Sequence, residues 1–482
     1  APILAAMMEF DAEIDEAVLL KEKQSNLRDG SSIMYDTTAF NLSMMYGLPA
    51  VTVPENINSN LIKWISDPVT YEITKDALMW AVDGNDDRSV AFSARLMELG
   101  VNVRIINKET LLSGHELPRG SIVVIAMDNP LISSLYKMIE QVAYDLKISV
   151  VSIESGFGPE ELPDWGGEHF ELLERPQIAI ISHDGFNSYD VGVSLWSIDH
   201  HLGIRHSQIN KSIINYTDLR RYNTIVLPSG NALSDDTKDT LLKWVETGGT
   251  LIAHNRSARS LSDEEGIGNV KQIQYTFDNS LNLNIDLQRE IYSLNDEINL
   301  EKTLSNKVDT KISYPWEPID ETLSKEELES RDKWQSLFMP SGSFVSGRTD
   351  QKHWLTYGSN KILPLLYGDY PVLMTENNSH AVVRVGEIFD SIDNNQTKIL
   401  NWSSIPAGKD INIRMSGLVW PEAAQRIANS AYLTRERIGA GQIILFSGEP
   451  NFRGSALGTN RLWLNAIIYG PGLGSSQRIS LD

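Results

Sequence analysis

The sequence predicts an α/β protein whose main part is a doubly wound parallel sheet with a β-rich insertion, preceded by a smaller α/β domain. Three short apolar runs carry this prediction: "QIAIIS" (177–182), "NTIVLP" (223–228) and "TLIAH" (250–254). Such runs are typical of strands that are buried on both faces. Amphipathic segments separate them, and strands that alternate with helices favour a parallel sheet. The chain has 482 residues, which is long enough for two or three domains.

The first part of the chain predicts a helical segment, a small α/β domain and a linker. Residues 1–67 carry a charged helical pattern near their start and no core of their own. Within 68–155, the segment 90–99 has helical spacing and ends at Gly100, a residue typical of helix C-termini. Strands are expected at "VNVRII" (101–106), "GSIVVIAM" (120–127) and "ISVVSI" (148–153), with a helix over 131–146. The Gly-, Pro- and acid-rich residues 156–175 are expected to form a linker.

Residues 176–482 are predicted to form the main domain. Apolar residues recur at helical spacing in 188–202. Ser234 can cap a second helix, whose first turn contains two aspartates that suit the positive end of the helix dipole. Residues 260–420 interrupt the alternation and predict a large insertion. We expect a helix over 324–334, β-rich segments across 353–415, a helix over 421–431 and the strand "GQIILFSG" (441–448).

The composition excludes several classes of site and partner. The net charge of −22 argues against nucleic acid or an anionic membrane as partner, because phosphate groups are bound by clustered Lys and Arg. The absence of cysteine removes disulfides, thiolate metal ligands and cysteine nucleophiles. No apolar run reaches the roughly 18 residues needed to span a bilayer. The start shows no signal peptide and lacks Met, so we expect an internal piece of a longer protein.

Four polar loops are predicted to meet at one edge of the main sheet. They are "SHDGF" (182–186), "PSGNA" (228–232), "HNRSA" (254–258) and "EPNFR" (449–453), and each follows a predicted strand. Ligands bind beyond the carboxyl ends of strands in open α/β sheets, so we expect a binding crevice there. Its candidate residues are Ser229, Gly230, Asn231, His254, Asn255, Glu449, Asn451, Arg453 and Arg461. Two alternatives stay open: ordinary polar turns at a sheet end, and a polar clasp in which the two arginines fix the last helix.

The sequence holds no complete catalytic or metal-binding motif. His-x-x-Glu, His-Glu-x-x-His and Gly-x-Ser-x-Gly are all absent. The stretch "DHHLGIRH" offers Asp199, His200, His201 and His206. The first three lie on the polar side of a predicted helix end, where cationic side chains are favourable without any metal. We therefore predict no catalytic residue, no metal site and no cofactor in this chain.

Residues 176–260 resemble the class I glutamine amidotransferase-like fold. In active members the strand equivalent to "TLIAH" ends in a Gly-x-Cys-x-Gly elbow, and a His-x-Glu pair completes the site. Here the elbow reads "AHNRSA", with His254 or Asn255 in the place of the cysteine, and the His-x-Glu pair is not recognisable. The stretch "PSGN" resembles the oxyanion loop of that family but has no nucleophile to assist. The resemblance therefore implies the fold without amidotransfer.

The chain as a whole resembles the C-terminal half of large bacterial zinc carboxypeptidase-like proteins. The stretches that carry this are "DGSSIMYDTTAFNLSMMYGLPAVTV", "LPRGSIVVIAMDNP", "HWLTYG" and "PNFRGSALGTNRLWLNAI". They span most of 30–470, with unmatched stretches around 260–350, and Phe40 stands where the family usually has Trp. In that family the zinc ligands and the catalytic Glu precede the segment equivalent to Tyr35–Phe40. The resemblance thus implies an upstream peptidase domain that holds the zinc and is this chain's partner, and a secreted or periplasmic location.

Two functions from different classes follow from these observations. The first is a non-catalytic ancillary region, a scaffold or substrate-binding part, of a secreted zinc metallocarboxypeptidase-like hydrolase. The second is a self-standing amidotransferase-like module that binds a small anionic, peptide or sugar ligand without the cysteine nucleophile. An amidotransferase-like enzyme with a substituted nucleophile is a third option, and it would need glutaminase activity that depends on His254 or Asn255.

Overall fold

The computed structural model describes residues 7–10, 13–34, 37–51, 69, 71–159, 162–293, 304, 323–394 and 396–475. The chain divides into two compact units. Unit 1 comprises residues 1–41, 262–348 and 364–434, and unit 2 comprises residues 42–261, 349–363 and 435–482. Most of the expected insertion thus belongs to unit 1, whereas unit 2 contains both the small α/β segment and the strands of the main sheet. The domain boundaries expected from the sequence differ from this division and stay a prediction.

Two helices, α1 (Glu16–Asp29) in unit 1 and α2 (Leu42–Met45) in unit 2, precede the first sheet. Of the family-like segment Tyr35–Phe40, Tyr35 and Asp36 lie outside the described residues. The next elements are β1 (Tyr71–Glu72), β2 (Met79–Val82), α3 (Arg88–Glu98), β3 (Arg104–Ile106), β4 (Thr110–Leu112), β5 (His115–Leu117), β6 (Ile122–Ile125), α4 (Leu135–Leu146), β7 (Val150–Ile153) and β8 (Phe170–Leu172). Gly100 follows α3 with a φ of +84°, and its N–H donates to Met97 O, which confirms the predicted end of that helix.

The first sheet of unit 2 is mixed. Its strand order is β1–β7–β2–β6–β3–β8, in which β1 and β7 are parallel and the other neighbours are antiparallel. Strand β8 lies in the segment expected to be a linker. Phe170 is buried with Met79 and Ile125 in the core of this sheet, and Arg104 pairs with Leu172 across β3 and β8. The end of the expected linker is therefore part of the sheet, and burial of the Phe170 ring stabilises it there.

The second sheet of unit 2 begins at β9. Its elements up to residue 261 are β9 (Ile178–Ser182), α5 (Ser188–Trp196), β10 (His206–Asn210), β11 (Thr224–Leu227), α6 (Asp235–Glu246), β12 (Thr250–His254) and α7 (Arg256–Leu261). A π-helical turn, Ser197–Leu202, extends α5 to Gly203, so the helix predicted over 188–202 is confirmed. Ser234 is the predicted cap of α6: Thr237 N donates to Ser234 Oγ (3.4 Å).

The elements between residues 262 and 438 are short and mostly β. They are β13 (Lys271–Gln272), α8 (Ser280–Ser293), α9 (Lys325–Ser336), β14 (Ser343–Thr349), β15 (Ile362–Tyr367), β16 (Leu373–Met374), β17 (Ser379–Val385), β18 (Glu387–Asp390), β19 (Lys398–Ile399), β20 (Ser404–Ile405), β21 (Lys409–Asn412), β22 (Arg414–Ser416), α10 (Pro421–Ile427) and β23 (Ala431–Ile438). Strands β23, β17, β14 and β15 are neighbours in that order. Helix α10 ends at Ile427, earlier than predicted, because the chain enters β23 at Ala431.

Strand β24 (Gly441–Phe446) and helix α11 (Leu457–Tyr469) complete unit 2. The strand order β10–β9–β11–β12–β24 has only parallel neighbours, with Thr250 opposite Gln442. The carboxyl ends of these strands therefore lie at one edge, where the four polar loops follow them. The described chain is thus an α/β protein with mixed sheets. No helix within the described ranges is both long and apolar enough to cross a membrane.

Candidate functional site

The loops after β9, β11 and β12 surround a pocket of about 310 Å³ in unit 2. It is lined by Gly185, Phe186, Asn187, Ser229, Gly230, Asn231 and Arg256. Backbone hydrogen bonds join the first two loops: Asn187 N donates to Ser229 O (2.8 Å), and Asn231 N donates to Gly185 O (2.9 Å). The structure thus brings together three of the four loops that the sequence analysis placed at this edge, including the candidate residues Ser229, Gly230 and Asn231.

The first of these loops has three consecutive residues with left-handed backbone. His183, Asp184 and Gly185 are consecutive and have φ values of +61°, +39° and +96°. The φ of +96° at Gly185 strains any residue with a side chain, and a Cβ atom there would also lie 2.6 Å from Asn231 Nδ2, so glycine is favoured at this position. Strained backbone of this kind persists only where the surrounding structure holds it, and it clusters at ligand-binding and active sites.

Asn255 occupies the tight turn between β12 and α7. Its φ of +52° is left-handed, which is uncommon for a residue other than glycine. Its backbone N–H donates to Phe446 O (3.1 Å), and its side-chain Nδ2 donates to Glu449 Oε1 (2.8 Å). A strained strand-to-helix turn is the arrangement in which α/β-hydrolases present a nucleophile. Here the turn presents a carboxamide, which has no nucleophilic oxygen or sulfur and instead ties the loop after β24 to the end of β12.

Asp190 and Glu449 form a carboxyl pair beside Asn255, in which Asp190 is buried and Glu449 is half-buried. Asp190 lies in the first turn of α5 and is 8% exposed. Burial and the charge of Glu449 raise the pKa of Asp190 to about 7, and the Ser229 hydroxyl opposes this rise. Burial also raises the pKa of Glu449. The hydrogen bond from Asn255, the interaction with Asp190 and the charge of Arg453 each lower this pKa, but burial outweighs them. The pair therefore keeps a proton well above the pH at which free carboxylic acids ionise.

Asp190 was not among the residues predicted from the sequence. The helix over 188–202 is recognisable from Val191, Leu195, Ile198 and Leu202, and this apolar spacing says nothing about the polar residues of its first turn. The available signal was an acidic residue in the first turn of a helix that follows a strand end directly. The same pattern at Asp235 and Asp236 is explained by the helix dipole alone, since both side chains are exposed there. Asp190 differs from these two aspartates only in being buried, which the sequence does not reveal.

His254 lies inside the sheet rather than in the pocket, which corrects its place among the candidate residues. It is 0% exposed, and neither ring nitrogen has a hydrogen-bond partner among the residues that the structure describes. Burial lowers the pKa of His254 to about 3, so its imidazole stays neutral. The reason is its position as the last residue of β12, a strand in which all five residues are buried.

Arg461 does not line the pocket either. It fixes the last helix, as in the polar clasp that was the second alternative for these residues. It is 3% exposed, and its guanidinium donates to Gly84 O (2.8 Å), Asp86 O (3.0 Å) and Asn465 Oδ1 (3.0 Å). Asn465 in turn donates to Leu355 O (3.0 Å). These bonds fix α11 to neighbouring loops of unit 2, and they use the donors that a ligand would need.

The remaining two candidates, Asn451 and Arg453, have different surroundings. Asn451 is buried, and its Nδ2 donates to Ser197 Oγ (3.4 Å). Arg453 is exposed, has a φ of +51° and lies over the Phe452 ring at 4.9 Å. Its charge opposes the rise in the pKa of Glu449, so it contributes to the electrostatics of the carboxyl pair. Asn451 therefore supports the loop from inside, and Arg453 lies at its outer face.

The described residues contain no group of three or more His, Asp or Glu side chains arranged to hold a metal ion. In the histidine-rich stretch, His206 Nδ1 lies 3.5 Å from Asp199 Oδ1. His200 stacks on Trp196 with ring centroids 4.7 Å apart, and His201 meets the same ring edge-on. These side chains therefore have local aromatic and ionic partners.

No family model matches the sequence, and no curated protein matches it. Among solved structures, the chain is similar to a β-galactosidase from Bacillus circulans sp. alkalophilus, with a TM-score of 0.31 and 10% identity over 74% of this chain and 38% of that chain. It is also similar to a ThuA-like protein from Bacteroides uniformis, with a TM-score of 0.30 and 10% identity over 60% of this chain and 89% of that chain. The chain thus spans well under half of the galactosidase. Both TM-scores are too low to define a fold or a function.

Proposed function

We propose that this chain is a non-catalytic, ligand-binding ancillary region of a zinc metallocarboxypeptidase-like hydrolase. Its core is then a doubly wound domain of the glutamine amidotransferase-like type. The resemblance of the four sequence stretches supports the parent protein, and it assigns zinc and catalysis to an upstream peptidase domain that is this chain's partner. A secreted or periplasmic location follows from the same resemblance. The five parallel strands of unit 2 support the proposed domain type.

The observation that carries the proposal is Asn255 in the strained turn after β12. An amidotransferase-like enzyme needs a thiolate at this turn, and the chain has no cysteine. The carboxamide of Asn255 is instead committed to Glu449 by a 2.8 Å hydrogen bond. His254, the other residue considered for the nucleophile position, is buried and neutral. The turn therefore supports a shaped pocket without an attacking group.

The pocket favours a ligand that carries a carboxylate, such as the C-terminal end of a peptide. Arg256 lines the pocket with an exposed side chain, and guanidinium groups bind carboxylates with two parallel hydrogen bonds. The retained proton of the Asp190–Glu449 pair reduces the negative charge near Arg256, whose own charge acts on Asp190. Phe186 offers an apolar wall. A peptide end would match these features and would also suit an upstream carboxypeptidase.

Calorimetric titration with one peptide in two forms tests the binding part of the proposal. We expect the form with a free C-terminus to bind at least about tenfold more tightly than the C-terminally amidated form, since a charge-assisted hydrogen bond contributes about 1.5–3 kcal/mol. Arg256→Gln should remove this preference. Arg259→Gln is the matched control, because Arg259 is exposed on the same helix and does not line the pocket. Equal binding of both peptide forms would contradict the proposed ligand.

An activity assay tests the non-catalytic part. The chain alone, supplied with zinc and a peptide that has a free C-terminus, should release no C-terminal amino acid. Release of amino acids by this chain, or release of ammonia from glutamine that is lost on Asn255→Ala, would refute the assignment.

A self-standing amidotransferase-like binding module is the second candidate. It is favoured by one observation: every residue that lines the pocket belongs to unit 2. A module of this kind would bind its ligand with the same affinity in the presence and absence of a peptidase domain, whereas an ancillary region would change the peptidase's KM for long substrates. Comparing these two quantities separates the candidates.

A further inference from the structure

A second pocket, of about 220 Å³, lies in unit 1 against α8 and β17. The side chains that matter for its chemistry are Asp286, Glu290, Asn377, His380, Arg384 and Trp402. None of them belongs to the crevice of unit 2, and the sequence analysis singled out none of them. The lining is mainly polar, with Leu283 and Met374 as buried apolar contributions.

The base of this pocket is a carboxylate held by two buried guanidinium groups. Arg384 Nε lies 2.6 Å from Glu290 Oε2, and Arg348 Nη2 lies 3.7 Å from Glu290 Oε1. Asn429 orients both arginines, since its backbone oxygen accepts from Arg384 Nη1 (3.0 Å) and its Oδ1 accepts from Arg348 Nη1 (2.9 Å). Arg348 is 8% exposed and Arg384 is 9% exposed. Every charged group at the base is therefore fixed in direction before a ligand arrives.

Stability alone does not account for this cluster. Burial lowers the pKa of Arg348 to about 10, which shows how strongly the guanidinium is desolvated. For Glu290 burial acts in the opposite direction to the Arg384 and Arg348 charges, and the charges prevail, so its pKa is lowered and it stays ionised. Buried ion clusters are often no more stable than apolar residues of the same volume. Their fixed donors and acceptors instead suit recognition of a polar ligand.

Two further side chains, those of Trp402 and Asp286, line the same pocket. Trp402 is 5% exposed, and its Nε1 has no hydrogen-bond partner in the part of the chain that the structure describes. A buried indole N–H without an acceptor is costly and is usually satisfied. Asp286 lies one helical turn before Glu290 on α8, so both carboxylates face the pocket from one side of the helix.

We propose that this pocket binds a small neutral polyhydroxy ligand, about the size of one monosaccharide ring. The guanidinium charges of Arg348 and Arg384 are opposed by the carboxylates of Glu290 and Asp286, so no strong counter-charge is required of the ligand. Asp286 also contacts the exposed Arg289 (3.2 Å). Donors on Arg384 and Asn377 and acceptors on Asp286 and Glu290 are present together, and hydroxyl groups both donate and accept. The volume is smaller than pockets for drug-sized ligands, which span roughly 300–1,000 Å³.

Calorimetric titration of the full chain with glucose, galactose, mannose and xylose tests the proposal. We expect saturable binding of at least one sugar with millimolar affinity or better. Asp286→Asn should weaken it about tenfold, because it replaces a charged acceptor. Asp286 is exposed, so the variant should fold as the wild type does. Asp278→Asn is the matched control, since Asp278 is exposed in the same unit and pairs with Lys325 (2.8 Å) outside the pocket.

Each other outcome counts against the proposal. Absence of saturable heat with every sugar would overturn it, as would equal binding by the Asp286→Asn and wild-type chains. Tighter binding of free glycine or leucine than of any sugar would show that the pocket recognises a zwitterion instead. Hydrogen exchange gives an independent readout: a bound sugar should slow exchange in 280–293 and 374–385, and protection elsewhere would place the sugar at another site.

Discussion

Replacing Asp190 by Asn should make the stability of unit 2 less dependent on pH. In the unfolded chain the Asp190 carboxyl ionises near its ordinary pKa of 3.8, whereas in the folded chain it keeps its proton up to about pH 7. Between these values the folded state binds one more proton than the unfolded state, so the free energy of unfolding falls as the pH rises. The contribution of this group is fully present below about pH 3.8 and is lost as the pH rises through about 7.

The size of the effect follows from the two pKa values. A tenfold change in a protonation equilibrium corresponds to about 1.4 kcal/mol, so moving the pKa from 3.8 to about 7 corresponds to at most roughly 4 kcal/mol. Asp190 is 8% exposed, so solvent screening reduces this little. The carboxamide of the variant cannot ionise. Relative to the wild type, the Asp190→Asn chain should therefore gain stability steadily from pH 5 to about pH 7, and the difference should level off above that pH.

Urea denaturation followed by circular dichroism at half-unit pH steps measures this difference. Urea is suitable because it is uncharged and does not screen the carboxyl pair. Asp184→Asn is the matched control, since Asp184 is exposed in the preceding loop and should leave the pH dependence unchanged. Parallel stability curves for the wild type and Asp190→Asn between pH 5 and 8 would refute the assignment of a shared proton to Asp190 and Glu449.

Three further predictions follow from the crevice and its surroundings. Because the chain has no cysteine, Asn255→Cys should give one half-buried thiol that reacts with a thiol reagent. The buried thiol of His254→Cys should stay unreactive in the folded chain. Equal reaction rates for the two variants would contradict the placement of β12. Arg461→Gln should lower the free energy of unfolding by about 3 kcal/mol, since it leaves buried carbonyl oxygens unpaired. Arg453→Gln, at an exposed position, should lower it by under about 1 kcal/mol. Urea denaturation of both variants measures the difference. Ser234→Ala should cost about 1 kcal/mol in the same assay, and no loss would rule out the cap of α6.

The strands and helices could be predicted where one local signal dominated. The run Ile178–Ile181 is apolar and proved to be buried throughout, as is Ser182 at its end. Ser234 was recognisable because a cap depends on its own three neighbours. Phe170–Leu172 shows the limit, since a three-residue strand in a Gly- and Pro-rich setting carries no periodic signal. Its place in the sheet depends on pairing with β3, a partner more than 60 residues away, which no local pattern reveals.

The sequence predicts which loops form the candidate site, but it does not predict which side chains of those loops face the pocket. The rule for parallel sheets placed Ser229, Asn231 and Asn255 at one edge, because it depends only on strand direction. Whether a side chain at a strand end faces the pocket or the interior is decided by packing. His254 and Asn255 are adjacent, yet one is fully buried and the other is half-buried. The same limitation concealed Asp190, whose role depends on its distance from Glu449 in space.

The hydrogen bonds around Glu449 support the proposed choice of binding over catalysis for the crevice. A general base must offer a free lone pair to its substrate, within hydrogen-bond reach. Glu449 Oε1 accepts from Asn255 Nδ2, and its carboxyl also interacts with Asp190 and with the charge of Arg453. Asp190 Oδ2 is buried away from solvent. The carboxyl pair thus connects the loops after β9, β12 and β24. The groups that line the pocket and can contact a ligand are Arg256 and the backbone of 229–231. An enzyme that shares this turn would present its reactive group outward, which is why we propose that the crevice holds a ligand and does not transform it.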